Sequence, residues 1–337
     1  MRPQVIGWGL VGLGRLTSTS IAPAIRDLPG MTIAACLGSS PEKSRAFAER
    51  FGVASVHVSA EAHATDPTVH AIYVCTPNAL HAEPVVAAAR HGKAVLCEKP
   101  LALDVAEARA MVEACERAGV VLRVAHQIRL EPVMRRIRDI VASGELGDIR
   151  ALSFERNGPL ADPIRAPRAA WRMDAAQGGA LFDMALHLLD LAQWITAQPF
   201  REVAGLSHPD RALGVPDETI TGLARLGDGC QATIRATREL PCARNDLVIQ
   251  GTRGMLATSA LRWADRYTIT LTTPEGRREE SFPACNAYRA EVEAFAGELR
   301  GIRSDLPDGR EALALVDTTE AILRSIDSRR TLPVPAR

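Results

Sequence analysis

Up to about residue 127, short apolar runs alternate with stretches of helical periodicity. The runs cover residues 5–11, 32–37, 55–58, 71–75, 94–97 and 120–125; all are short and rich in Val, Ile, Ala and Cys. Between them lie a segment that is helical from about Arg15 and amphipathic stretches at 42–51, 81–90 and 104–118. Strand and helix in strict alternation predict a parallel, doubly wound sheet that binds ligand at its strand C-termini. Those ends fall at Gly12, Thr76, Glu98 and His126.

Beyond Glu131 the rhythm changes, so a second domain is expected over 128–337 after a first over 1–127. A helix at 133–143 leads through Gly144-Glu145-Leu146-Gly147 to a strand at 149–156. Residues 157–169 are rich in Pro and polar side chains, a loop able to cover a pocket, and they lead to Trp171-Arg172. Segments at 201–207, 218–226, 230–238, 247–251, 254–258 and 267–271 alternate or are rich in Val, Ile and Thr, with Asp228-Gly229 as a hairpin turn. They predict an antiparallel sheet, and a broad sheet face invites self-association. Helices at 287–299 and 310–328 close the chain, their apolar positions reading as core.

One helix stands apart. Gly178-Gly179 opens a run of strong helix formers in which Asp183 and His187 are four residues apart and share a face; Asp190 continues the line. Leu181, Met184, Leu188 and Leu191 cover its other sides, so the helix is expected to be buried. A carboxylate stacked on an imidazole there is either an acid–base pair at the floor of a pocket or a packing pair. The two glycines would give a ligand close access to the helix start.

At the first strand end, two glycine registers fit a dinucleotide fingerprint. Gly7-x-Gly9-x-x-Gly12 leaves only a few residues of strand before it, whereas Gly12-Leu13-Gly14-Arg15-Leu16-Thr17 follows a full strand and precedes the helix. The second register is preferred, with Gly12 making the tight turn and Gly14 admitting a pyrophosphate to the helix N-terminus. The alternative is a plain tight turn. Some twenty residues on, no acidic residue ends the second strand to accept ribose hydroxyls; Ser39, Ser40 and Lys43 stand there instead. They suit the 2′-phosphate of NADP better than a bare ribose, and Ser40-Pro41 also reads as a helix start. Lys99 lies on the ligand edge, where it is expected to meet a ligand, and Pro100 allows a cis peptide that would fix the side chain's direction. Arg172 either reaches a ligand or stacks on Trp171.

Composition narrows the partners. The 337 residues carry 40 basic and 40 acidic side chains, which gives no support for nucleic acid or a membrane surface. No apolar run reaches bilayer length, and Met1-Arg2-Pro3-Gln4 runs straight into a strand-like segment with no secretion signal. The seven cysteines are scattered, with no Cys-x-x-Cys pair, so a reduced cytoplasmic protein with no metal framework is expected.

In order along the chain stand Gly12-x-Gly14, Thr76-Pro77-Asn78-x-x-His81, Cys97-Glu98-Lys99-Pro100 and Gly178-Gly179-x-x-x-Asp183-x-x-x-His187. Together they resemble the Gfo/Idh/MocA family of oxidoreductases, nearest in pattern to its NADP-linked sugar reductases and dehydrogenases. The resemblance implies an N-terminal Rossmann domain and a C-terminal α/β domain with a large, open, mostly antiparallel sheet, often the surface of a homodimer or homotetramer. It implies Lys99, Asp183 and His187 as the catalytic set; these three, with His126 from the ligand edge, are expected around a sugar or polyol substrate. NADP(H), or else NAD(H), would be held by Gly12, Leu13, Gly14, Arg15 and Leu16, by Ser39, Ser40 and Lys43, and by Thr76, Pro77, Asn78 and His81. Glu98, Lys99, Trp171 and Arg172 would complete that set near the nicotinamide. Two positions depart from the family pattern: Thr17 replaces the third glycine, and Ser39 stands where NADP-linked members often carry Arg. His187 would carry the proton, because an imidazole titrates at about 6.5, and Lys99 would polarise the reacting oxygen. A non-catalytic sensor, or a glycosidase using bound nicotinamide for transient oxidation, remain the alternatives on the same scaffold.

Overall fold

The computed structural model describes residues 5–158, 171–227, 229–240, 244–261 and 264–335. Met1-Gln4, most of the expected pocket-covering loop, Asp228 and Cys242 lie outside the described residues. The chain forms two compact units, Met1–Leu130 with Asn286–Val316, and Glu131–Cys285 with Asp317–Arg337.

The first unit holds a six-stranded parallel sheet in the order β3-β2-β1-β4-β5-β6, the Rossmann arrangement. Its strands are β1 (Ile6–Val11), β2 (Met31–Leu37), β3 (Ser55–Val56), β4 (Ala71–Val74), β5 (Ala94–Glu98) and β6 (Leu122–Ala125). β1, β4 and β5 are buried on both faces and are near-continuous apolar runs, as central parallel strands must be. The intervening helices are α1 (Ala22–Asp27), α2 (Pro41–Phe51), α3 (Ala60–Thr65), α4 (Ala82–Arg90) and α5 (Val105–Ala118). A π-helical turn, Thr17–Ile21, leads into α1. Ser40 caps α2 by accepting from the Lys43 N–H at 3.3 Å, with Pro41 at the first helical position. Asp104 caps α5 in the same way, at 2.9 Å from the Glu107 N.

The second unit holds a nine-stranded sheet in the order β14-β13-β12-β11-β7-β10-β9-β8-β15. Its elements begin with α6 (Pro132–Ala142), β7 (Ile149–Asn157) and α7 (Leu186–Thr196). The strands β8 (Phe200–His208), β9 (Thr219–Leu226), β10 (Cys230–Thr237), β11 (Leu247–Gly251), β12 (Met255–Thr258), β13 (Arg266–Thr273) and β14 (Gly276–Pro283) follow. Pairing is antiparallel except between β7 and β10. β14 is a strand that the apolar pattern does not announce: it is an edge whose Arg277, Arg278, Glu279 and Glu280 face solvent or pair with charges, which blunts it against edge-to-edge association. The chain then contributes α8 (Ala287–Leu299) and the start of α9 (Gly309–Ser328) to the first unit, and ends with β15 (Leu332–Pro333) on the second. Among the described residues no helix is long and apolar enough to cross a membrane.

Two apolar clusters fill the first unit, one on each face of its sheet. Val95 and Cys97 of β5 point into the cluster with Val85, Met111 and Val112; Leu96 points into the other, with Trp8, Tyr73, Ile25 and Phe295. The strand glycines belong to this packing. A side chain on Gly7 would collide with the Thr68 carbonyl, and one on Gly9 with the ring of His63. The Gly7-x-Gly9 register is therefore strand interior.

His63 is wholly buried, with its ring edge-on to His57 at 5.6 Å. Burial, reinforced by His57, lowers its pKa from 6.5 to about 4. Above pH 6.5 the folded and unfolded chains both hold it neutral; as pH falls toward 4 only the unfolded chain takes up the proton. The stability carried by neutral His63 is thus lost between about pH 6.5 and 4, by roughly 3 kcal/mol at most. Urea unfolding at pH 7.5 and 4.5 of wild type and His63→Leu should show this pH loss in the wild type and a flatter response in the variant. Equal pH dependence in both would refute the assignment.

Candidate active site

In the first unit the ligand edge is assembled from strand ends. Gly12 ends β1 with φ +90°, and a Cβ there would lie 2.5 Å from the Cys75 carbonyl and 2.6 Å from the Thr76 N. Only glycine lets β1 turn so closely over the end of β4. Thr17, at the position of the missing third glycine, is buried and donates its hydroxyl to the Gly12 carbonyl at 2.5 Å, closing the turn by a different route. A Cβ on Gly14 would meet nothing within 4 Å, so the backbone at the start of the helical segment Arg15-Leu16 is open to an approaching anion.

At the end of β2, Lys43 Nζ donates to Ser39 Oγ at 2.9 Å while Ser40 caps α2. Glu42 stands beside them, its carboxyl held below the usual range by its own backbone N–H and the Ser40 hydroxyl, and its charge met by Arg45 at 3.2 Å.

After β4, Thr76 and Pro77 lead into a 3-10 turn, Asn78–Leu80, with Asn78 buried and Thr76 Oγ1 donating to the Leu80 carbonyl at 3.0 Å. His81 lies fully buried, with Nδ1 2.8 Å from the Pro100 carbonyl and Nε2 3.2 Å from the Thr76 carbonyl. Its ring straps the loop after β4 to the loop after β5. Burial pulls its pKa down, although the two carbonyls favour the charged ring. Glu98 and Lys99 are half-buried at the end of β5, and the Lys99–Pro100 peptide is cis. His126 is buried at the end of β6, its carbonyl accepting the Arg129 N–H at 3.1 Å.

In the second unit, the segment expected as one α-helix opens with a π-helical turn, Leu181–Ala185, before α7. Bonds of the i→i+5 kind widen the turn that carries Asp183, a distortion frequent at functional sites. His187 sits in the first turn of α7 and is 4% exposed. Arg172 Nη1 donates to Asp183 Oδ1 at 2.5 Å, and its guanidinium lies over the Trp171 ring at 4.6 Å. Stacking and an ion pair together therefore orient Arg172 and hold Asp183.

The glycine pair has a structural reason that sequence reading misses. The space a Gly178 side chain would take is filled by the Arg172 carbonyl, and that of Gly179 by the Asp217 carboxylate. The pair thus serves close approach of the chain to itself. Asp217, absent from the candidate residues, accepts the Leu181 N–H at 2.8 Å on its carboxylate and the Ala180 N–H at 2.8 Å on its carbonyl. It supplies from outside the acceptors that the helix start lacks. Burial pushes its carboxyl up against these bonds. Arg238, wholly buried, pairs with Glu218 at 3.2 Å and donates to the Arg172 carbonyl at 3.4 Å. No local spacing flags these residues, because β9 and β10 bring them in from 36 or more positions away.

A family model described as an oxidoreductase family with an NAD-binding Rossmann fold matches residues 6–126, and one for a GFO/IDH/MocA C-terminal domain matches residues 134–257. The chain is 30% identical to 1,5-anhydro-D-fructose reductase of Ensifer adhaerens, over 94% of this chain and 95% of that one. It is 30% identical to an NADP(+) D-xylose 1-dehydrogenase of Haloferax volcanii, over 95% and 97%. Its fold superposes on the crystal structure of aldose-aldose oxidoreductase from Caulobacter crescentus, complexed with glycerol, with a TM-score of 0.86, 24% identity, and coverage of 98% and 99%.

Proposed function

The chain belongs to the Gfo/Idh/MocA family of NAD-binding oxidoreductases, and on that premise we propose that it moves a hydride between a nicotinamide cofactor and a CH–OH or C=O carbon of a sugar, inositol or related polyol. What supports the reading is that the two matched domains contain Lys99 in the first and Asp183 and His187 in the second, within the sequence patterns that carry the family resemblance. The relatives named above act on sugars by their names.

Bound nicotinamide supplies or accepts the hydride. The open backbone at Gly14 and the turn at Gly12 fit its pyrophosphate, with Leu13, Arg15 and Leu16 lining the same turn. Ser39, Ser40 and Lys43 favour NADP(H) over NAD(H), since the nearby Glu42 charge is met by Arg45 and no carboxylate ends β2. Thr76, Pro77 and Asn78, braced from beneath by His81, and Glu98, Trp171 and Arg172 complete the cofactor set.

On the substrate, Lys99 donates to the reacting oxygen and stabilises its negative charge as the carbon changes oxidation state. His187 takes or returns the hydroxyl proton. Asp183, oriented by Arg172, accepts from substrate hydroxyls, and His126, at the end of β6, is assigned to the same substrate set. A pure sensor has no need of this proton-handling set. We further infer a homo-oligomer formed through the broad second sheet.

The test is nicotinamide absorbance on a panel of sugars, keto-sugars and inositols with NADP(H) and NAD(H). Turnover of free cofactor with at least one polyol is expected, at higher kcat/KM with NADP(H). Absence of turnover across the panel would overturn the reading in favour of a sensor or a transient oxidation on bound cofactor.

A further inference from the structure

Beneath the ligand edge of the first unit, two carboxyl groups from distant parts of the chain meet on one tyrosine. Tyr73 of β4 is in register with Leu96 of β5, so Glu98, two positions on, projects to the same face of the sheet. α8 covers that face, its Val292, Phe295 and Ala296 sharing a cluster with Tyr73 and Leu96. Glu291 sits in that helix with no exposed surface. Its Oε1 is 2.6 Å from Tyr73 Oη, and Glu98 Oε1 is 3.0 Å from the same atom.

A hydroxyl has one hydrogen to give, and a carboxylate can only accept. Two short contacts on one phenol oxygen therefore call for a second proton, carried by one of the carboxyls. Burial decides which. Glu291 is enclosed by the cluster that holds Trp8 and Phe295, whereas Glu98 reaches the half-buried edge. Burial and the neighbouring Glu98 push the Glu291 carboxyl well above the usual range, and burial with both carboxyls raises the Tyr73 phenol, which keeps its hydrogen. Cys75, just beyond the end of β4, is a further titratable neighbour of Tyr73; burial above all holds it as a thiol, so it adds no charge.

We propose that Glu291 is a neutral acid donating to Tyr73, that Tyr73 donates to Glu98, and that this two-bond chain holds Glu98 as an oriented carboxylate beside Lys99. Tyr73 and Glu291 are positioning residues acting through Glu98. The protons stay where they are; no bond is made or broken. The consequence for turnover rests on the hydride-transfer reading, whereas the arrangement itself does not.

The test uses the full chain as wild type, Glu291→Gln, Glu291→Leu and Tyr73→Phe, with thermal unfolding to confirm that each folds. Infrared spectra at pH 7 should show the C=O stretch of a buried neutral carboxyl in wild type, lost in Glu291→Gln and shifted but retained in Tyr73→Phe. A Gln amide donates to the phenol as the acid does, so Glu291→Gln should keep kcat and the cofactor KM within about twofold. Glu291→Leu and Tyr73→Phe should cut kcat/KM roughly tenfold, the scale of one lost hydrogen bond to a charged group. In Tyr73→Phe the acid limb of the pH profile should also move to higher pH, because Glu98 loses a donor to its charged form. No neutral-carboxyl band in wild type, or equal damage from Gln and Leu, would overturn the proposal. If wild type turns over no polyol, the oxidoreductase reading fails, yet the infrared arm still decides for or against the chain of bonds.

Discussion

Lys99→Ala and His187→Ala are each expected to lose turnover by roughly 100- to 10,000-fold, the range spanned by removing a group that handles a proton or developing charge. Both variants should stay folded. Lys99 is half-buried at a strand end, so its truncation leaves no apolar cavity. His187 is 4% exposed in the first turn of α7, where alanine favours the helix while opening a small gap. Titrating reduced cofactor by its fluorescence separates chemistry from binding: the dissociation constant should change by less than about tenfold while kcat falls. Wild-type turnover in both variants would remove these residues from the catalytic set.

The second large effect concerns stability. Glu218→Gln deprives the wholly buried Arg238 guanidinium of the carboxylate it pairs with, although the Asp217 carboxyl still attracts it, at a cost of about 3 kcal/mol. Arg238 also holds the Arg172 carbonyl, which occupies the space that Gly178 leaves open, so loosening should appear first at the start of the 181–196 helix. Hydrogen exchange of the Ala180 and Leu181 amides, both bonded to Asp217, reads this locally. The double variant Glu218→Leu/Arg238→Met should regain part of the loss, because both charges of the pair go together, while the Arg172 carbonyl loses its donor and Asp217 a neighbouring cation. A single variant as stable as wild type, with unchanged exchange, would contradict this account of the helix start.

The first sheet was legible because its central parallel strands are buried on both faces and write their burial as apolar runs, clearest in β1, β4 and β5. Helix starts were legible at Ser40 and near Asp104, where a side chain does the capping. β14 was not, because an edge strand exposed on both sides needs no apolar alternation. The six-residue α3 is too short to show a period. The π turns at 17–21 and 181–185 arise from packing, and no local preference distinguishes them from α-helix.

At the candidate site, the strand-end residues and the Asp183–His187 spacing could be read directly, since each motif is local. Their supports could not. Asp217, Arg238 and Glu291 act across 36, 66 and 218 positions, on Leu181, Arg172 and Tyr73. Only Glu291 left a trace: a carboxylate set four positions from Phe295 in an otherwise apolar stripe of α8 that read as core.

Hydride transfer to a polyol carbon is tested most directly with an isotope. Keto-sugar substrates are reduced with NADPH carrying deuterium at the transferable C4 position, and the products are read by mass spectrometry and NMR. One deuterium on the new carbinol carbon, with its rate suppressed in Lys99→Ala and His187→Ala, is the predicted result. Product that forms without deuterium, or deuterium that stays on the cofactor, would contradict it.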